Sequence, residues 1–384
     1  MDNVLEGNQN QEDYQMVVFG DGYGTKIPEY IERLRTIDQT RRDWISYLNE
    51  PQTFHMETDG TILATDPDGQ LQKLFPTYWA HGQIAEMLKI PSAYYLRMLR
   101  EDTDLLSKNV NRWLQNINSP KMLRTSFYQK NRLIAVLSDR YLPISNFKVL
   151  NYALTTASNK LEGRNISLHN TYFTDKLMTA TIYSTDLKIT PTQDSKDTYY
   201  LGLHVSNSEV GYASLEIMPV LVRMVCTNGM IMDKQYHGSY TRRHIGSKNT
   251  IGDILSSETM RKEQDYVLSV INDIVQSAFD IDQAQITVEK LQEMKQKAIK
   301  AEWINRTSEV MGFSEQENKA IWDKIANNNR HDFIQAVTST ANDLLRDGKK
   351  PERATELQKK AYKLVNDETI WEKLEAKDSN TEGE

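Results

Sequence analysis

The hydrophobic period shifts several times along the chain, and most lastingly at about Ile251. Between about Met122 and Met232, apolar and polar residues alternate in short runs parted by turn residues. From about Ile251 onward, apolar residues recur at three- and four-residue spacing between charged faces. Alternation marks a strand with one wet and one dry side, and the longer spacing marks an amphipathic helix. Strands followed by helices predict an α+β fold: an antiparallel sheet with flanking helices, followed by a helical C-terminal domain. The expected organisation is an acidic N-terminal segment over 1–75, a central α+β domain over 76–250, a helical domain over 251–370 and a polar tail over 371–384.

Local signals refine this plan. Ile31, Leu34, Ile37, Trp44, Ile45 and Leu48 read as one helix over 31–50, ended by Pro51. Short strands broken by Asp-Gly pairs fill 54–71. A helix over His81–Leu88, a break at Lys89-Ile90-Pro91, a second helix capped by Ser92 and a third over Leu105–Leu114 follow. MLRTSFYQ and RLIAVLSD form a hairpin with its turn at Lys130-Asn131. A helix over Asn146–Leu161 precedes strands at Asn165–Phe173, Lys176–Ser184 and Thr198–Ser206. Residues 214–232 read as a buried strand, a turn at Asn228-Gly229 and a return, with Pro219 marking a bulge or an edge.

Several function classes drop out. Nothing contains about eighteen consecutive apolar residues, so no membrane span is expected. The start, MDNVLEGNQNQEDYQ, lacks the basic and apolar stretches of a signal peptide, and the lone cysteine, Cys226, has no partner for a disulfide. A reducing, cytoplasmic setting is expected. Cys226 follows the apolar run VLVRMV and reads as inert core. The seven histidines (His55, His81, His169, His204, His237, His244 and His331) show neither HExxH nor a short pair at helical spacing, and His237 and His244, seven apart in a polar loop, read as surface residues. GDGYGT lacks the strand and helix of a phosphate cradle. No carboxylate pair stands in an apolar setting. No enzyme, metal or cofactor is expected.

Binding signals are stronger. The formal net charge is −7, yet residues 76–148 carry eleven Lys/Arg against five Asp/Glu, while 1–75 carry six against fourteen. A local basic surface can bind phosphate whatever the total, because salt screens distant charges. Residues 81–100 have helix–turn–helix spacing, with Ala85 letting two helices approach and Arg97 and Arg100 on the second; Lys89 stands where glycine usually turns the chain, and Leu96 falls on the side that would meet a groove. Beyond it, Arg112, Trp113, Arg124, Phe127, Tyr128, Lys130, Arg132, Arg140 and Tyr141 interleave cations and rings, the combination that single-stranded nucleic acid requires. Alternation assigns Arg124, Ser126 and Tyr128 to a wet face and Leu123, Thr125 and Phe127 to a dry one. A second cluster joins Arg242, Arg243 and Lys248.

HGQIAEMLKIPSAYYLRML, VNRWLQ, LIAVLSDRYLPISNFKVL, VSNSEVGYASLEIMPVLVRMVCTNGM and RRHIG, with FIQAVTSTANDL and RATELQKKAYKLV, resemble a phage- and plasmid-borne family catalogued as domain of unknown function 932, over about 76–366. The order of hairpin, helix, further antiparallel strands and long helix also looks like the single-strand annealing proteins of the Rad52 and Red-beta type, an analogy of fold alone. The resemblance implies mobile elements. Together these features give the expectation of a single-stranded DNA-binding or annealing protein, homo-oligomeric, binding through Arg97, Arg100, Arg112, Arg124, Tyr128, Lys130, Arg132, Arg140, Arg242, Arg243 and Lys248. The alternatives are a duplex-binding regulator using 81–100 and an anti-defence factor that meets a host protein.

Overall fold

The computed structural model describes residues 17–19, 27–128, 130–191, 197–223, 228–232, 240–242, 257–346 and 351–376. Strand β1 (Val17–Phe19) and helix α1 (Ile27–Gln39) come first. The helix buries Tyr30, Ile31, Leu34 and Ile37, but it stops before Trp44. Residues 41–46 are a strand, β2 (Arg41–Ser46), which corrects the expected helix over 31–50. The three-to-four spacing runs only as far as Ile37. Trp44 and Ser46 follow the strand period instead, both buried beside exposed Asp43 and Ile45.

β2 belongs to a six-stranded sheet built by β3 (Phe54–Met56), β4 (Ile62–Thr65), β5 (Leu71–Pro76), β6 (Lys121–Ser126) and β7 (Arg132–Ser138). Its order is β2-β6-β7-β5-β4-β3, antiparallel throughout except for the β5–β7 pair. The Asp-Gly turns behave as expected, with Gly60 and Gly69 at φ of 84° and 78°, where a side chain is strained. The sheet curls on itself. Thr53 Oγ1 bonds to the carbonyl of Tyr47, Thr65 Oγ1 donates to Gln52 O at 2.7 Å, and Arg42 reaches Asp66 at 4.0 Å. If β2 and β3 count as the two halves of one bent first strand, the path is that of a five-stranded, partly open Greek-key barrel with helices between its third and fourth strands. Those helices are α2 (Tyr78–Met87), α3 (Ser92–Glu101) and α4 (Thr103–Leu114), and their inner residues Ile84, Tyr95, Met98, Leu106 and Val110 share one core with Trp44, Phe54, Ile62, Leu74, Leu123 and Leu133 of the strands. Residues 41–75, expected to stand apart from the central domain, thus supply most of the barrel.

A second sheet follows α5 (Asn146–Lys160), which Ser145 caps as expected. Its strands are β8 (Ile166–Phe173), β9 (Met178–Ile189), β10 (Tyr199–Asn207), β11 (Leu215–Arg223), β12 (Asn228–Ile231) and β13 (Tyr240–Arg242), in the order β1-β8-β9-β10-β11-β12 with β13 also on β11. Asn228-Gly229 is therefore strand and not the expected turn; both pair with β11. Pro219 sits where the outer neighbour of β11 changes from β13 to β12, a gap that needs no N–H. One face of this sheet (Leu201, Leu203, Val205, Ile217) is continuous with the main core.

That core also takes in the helical C-terminal region: α6 (Ser257–Ala278), α7 (Ile281–Glu293), α8 (Ile304–Met311), α9 (Glu315–Trp322), α10 (Arg330–Arg346), α11 (Pro351–Asn366) and α12 (Glu368–Glu375). Residues 371–375, expected in the tail, complete α12 and bury Trp371 and Leu374, because the tail's first apolar pair still follows helical spacing. No described helix is long and apolar enough to cross a membrane.

Candidate functional site

Barrel and large sheet meet at a buried charged seam. Glu209, in the link between β10 and β11, accepts from Arg41 Nε at 3.2 Å and Arg124 Nη2 at 2.9 Å through one carboxylate oxygen, and from the Asn146 backbone N–H at 2.6 Å through the other. Arg124 also pairs with Asp43, its register partner on β2. Burial pushes the Glu209 carboxyl up, but Arg41 and Arg124 outweigh it and hold the group below the usual range. Around this seam Asn207 Nδ2 donates to Ile144 O and Asn146 Oδ1, both at 2.8 Å. Tyr141 Oη donates to Ser208 O at 3.1 Å and accepts from Gly211 N at 3.0 Å. Trp79 and Gln83 of α2 both donate to Val210 O. The stretches LSDRYLPIS and VSNSEVGYA, which carry the family resemblance, are thus the two halves of a structural joint.

The structure disperses the expected interface. Arg124 is 3% exposed and bound to two carboxylates, and Ser126 is buried too, so β6 has no wet face; both sides are covered, one by the barrel core and the other by the seam. This corrects the assignment of Arg124, Ser126 and Tyr128 to solvent. Tyr128 is half-buried and packs against the main core, which removes it as a stacking platform. Lys130 and Arg140 are exposed but lie beyond opposite ends of β7, and a strand of that length keeps them roughly 25 Å apart. Arg132 is half-buried and feels Asp175 of the β8–β9 turn. Arg242 ends β13, while Arg243 and Lys248 lie outside the described residues, as do Cys226, His237, His244 and GDGYGT.

Arg97, Arg100 and Arg112 remain. The α2–α3 hairpin forms as its spacing implies: Lys89 takes the left-handed turn itself at φ 56°, and His81 Nδ1 meets Tyr95 Oη at 2.9 Å between the helices. Ser92 is the first helical residue and not the cap, a place that Pro91 occupies without a side-chain bond. Leu96 leans on the barrel core, so the outward side of α3 carries Ala93, Tyr94, Arg97 and Arg100. Arg97 pairs with Glu101 at 2.8 Å on the surface. Arg100 is exposed with no acidic partner among the described residues, and Arg112 of α4 touches only Gln115, at 3.5 Å. Tyr94 and Trp113, on the same two helices, stand 48% and 50% exposed.

Sequence reasoning missed the seam because its carboxylates, Asp43 and Glu209, lie far from each other and from their arginines along the chain, and no local pattern links them. His237 and His244, read as surface residues, lie outside the described residues. His81, His169, His204 and His331 are buried, because each falls on the inward side of its element. No cluster of metal-ligating side chains occurs among the described residues.

Fold and joint define the class: an α+β protein in which a small curled barrel is locked onto a helix-backed antiparallel sheet. Residues 134–380, well over half of the chain, match the family described as domain of unknown function (DUF932), and the chain belongs to that family. Neither the curated proteins nor the solved structures returned a match.

Proposed function

We propose that this protein binds single-stranded nucleic acid through the outward side of α3 and α4. The observation that carries the reading is that these two helices expose two arginines with no acidic partner among the described residues, Arg100 and Arg112, and two half-exposed rings, Tyr94 and Trp113. Arginines meet phosphates, and a ring with a free face stacks on an unpaired base for roughly 1–3 kcal/mol. A duplex hides its base faces, which favours the single strand. The hairpin that presents α3 supports the duplex alternative, and the assay contains that arm. In the proposed role the protein works in the cytoplasm of a cell carrying a phage or plasmid, self-associates and anneals complementary strands.

Fluorescence anisotropy with a labelled single strand and its duplex, read between about 50 and 200 mM salt, tests this. Tighter binding of the single strand is expected. Arg100→Ala with Arg112→Ala should flatten the salt dependence by roughly 0.7 log units per lost contact, and Trp113→Ala should weaken binding about tenfold. Absence of salt-sensitive binding to either form refutes the proposal.

A further inference from the structure

The barrel offers a second surface. Along β5 the side chains of Leu71, Lys73 and Phe75 share the outer face, opposite buried Leu74. Register places Leu63 beside Lys73, His55 beside Leu63 one strand further out, and Arg132 beside Phe75 across the parallel pair. Leu71 is 61% and Phe75 47% exposed, high values for side chains this apolar. The loop that ends in Lys130 and Asn131 borders Phe75, whose N–H donates to Asn131 O at 2.8 Å. At the other rim the β3–β4 turn leans on the α3–α4 helices, where a methyl placed on Gly60 would touch Leu99 and Thr103.

We infer that the outer face of β4 and β5 is a contact site for a single-stranded oligonucleotide, with Phe75 stacking on a base and Lys73, Lys130 and Arg132 placed around it for the flanking phosphates. Two arguments meet here. Five-stranded barrels of this path take oligonucleotides or oligosaccharides across their second and third strands, which in this chain are β4 and β5. The cations that register places nearest the ring, Lys73 and Arg132, suit phosphate, which would exchange with the carboxylates they now meet, Asp59 and Asp175. Because the β3–β4 turn joins this face to the α3–α4 surface, one strand can run over both. The inference takes its ligand class from the proposed function but rests on different residues.

The test uses the full chain with single-stranded oligonucleotides of roughly 8–12 residues, a length such barrels accommodate. Phe75 is on the surface, so Phe75→Ala should fold as the parent does. Its affinity should fall about tenfold, and Phe75→Trp should restore it. Wild-type affinity in Phe75→Ala, alongside weakened binding in Arg100→Ala with Arg112→Ala, overturns this site and leaves the proposed function standing. Failure of the parent to bind any oligonucleotide removes both. Displacement of bound oligonucleotide by a neutral hexasaccharide overturns the choice of occupant.

Discussion

Replacing Glu209 with alanine should loosen the barrel from the large sheet. The side chain is 4% exposed and is, among the described residues, the only carboxylate within ion-pair distance of Arg41; Arg124 keeps Asp43. Its removal leaves the buried Arg41 guanidinium with only the more distant Asp43 as counter-charge, and the Asn146 N–H, at the start of α5, without its acceptor. Removing one partner from a buried pair costs about 3–5 kcal/mol, because the remaining charge stays desolvated. Against the roughly 5–15 kcal/mol that holds a domain together, such a loss is visible without abolishing the fold. Urea unfolding followed by tryptophan fluorescence is suited to the measurement, since Trp44, Trp79 and Trp113 all report on the barrel. The midpoint should fall, and the transition should split as the barrel melts ahead of the sheet. Glu209→Gln, which keeps an acceptor for Asn146, should lose less. Because the folded carboxyl titrates below its usual range, the stabilisation is complete above about pH 4.5 and fades as the pH falls through the folded value. A loss under about 1 kcal/mol, with a single transition, would show that the seam does not hold the two bodies together.

Three further outcomes follow from the geometry. Lys89→Gly relieves a left-handed backbone at the α2–α3 turn and should raise stability by about 0.5–1 kcal/mol in thermal unfolding; a lower midpoint contradicts the strain argument. Gly202→Ala puts a methyl 2.5 Å from the Ile182 carbonyl and 2.9 Å from Tyr183 Cβ at the β9–β10 bulge, so a loss of about 1–3 kcal/mol is expected in denaturant titration, and a neutral result would mean the bulge is soft. His81 is pushed down to about 4 by burial, so its neutral form favours the fold fully above about pH 6.5 and stability falls as acid is added from there toward pH 4, by about 3 kcal/mol in all; His81→Gln should flatten that slope in unfolding measured at pH 7 and pH 4.5.

Periodicity and turn chemistry made much of the fold legible. The Ser145 cap and the strands from β8 to β10 stand where alternation and capping residues put them, and β6 and β7 pair as a hairpin, although β6 ends at Ser126 and the link is longer than the Lys130-Asn131 turn. Alternation failed at β6 because it assumes one wet face, whereas a strand covered on both sides tolerates a buried arginine if carboxylates reach it from elsewhere in the chain. The same long-range pairing hid the seam. The helix read over 31–50 failed because Trp44 and Ile45 fit either period over so short a run, and the barrel then drew them into a strand. Of the proposed binding residues, the exposure of Arg97, Arg100 and Arg112 was legible because helical spacing alone decides which residues face out.

The family match begins at residue 134, inside β7, whereas Arg41 and Arg124 precede it. A fragment cut at that boundary would start partway along a strand, carry Glu209 with neither of its cations, and expose the side of Tyr141 and Val210 that the barrel covers. The smallest piece worth expressing therefore has to begin ahead of Arg41, and any grafting of this region between proteins must move the two arginines together with the acid they neutralise.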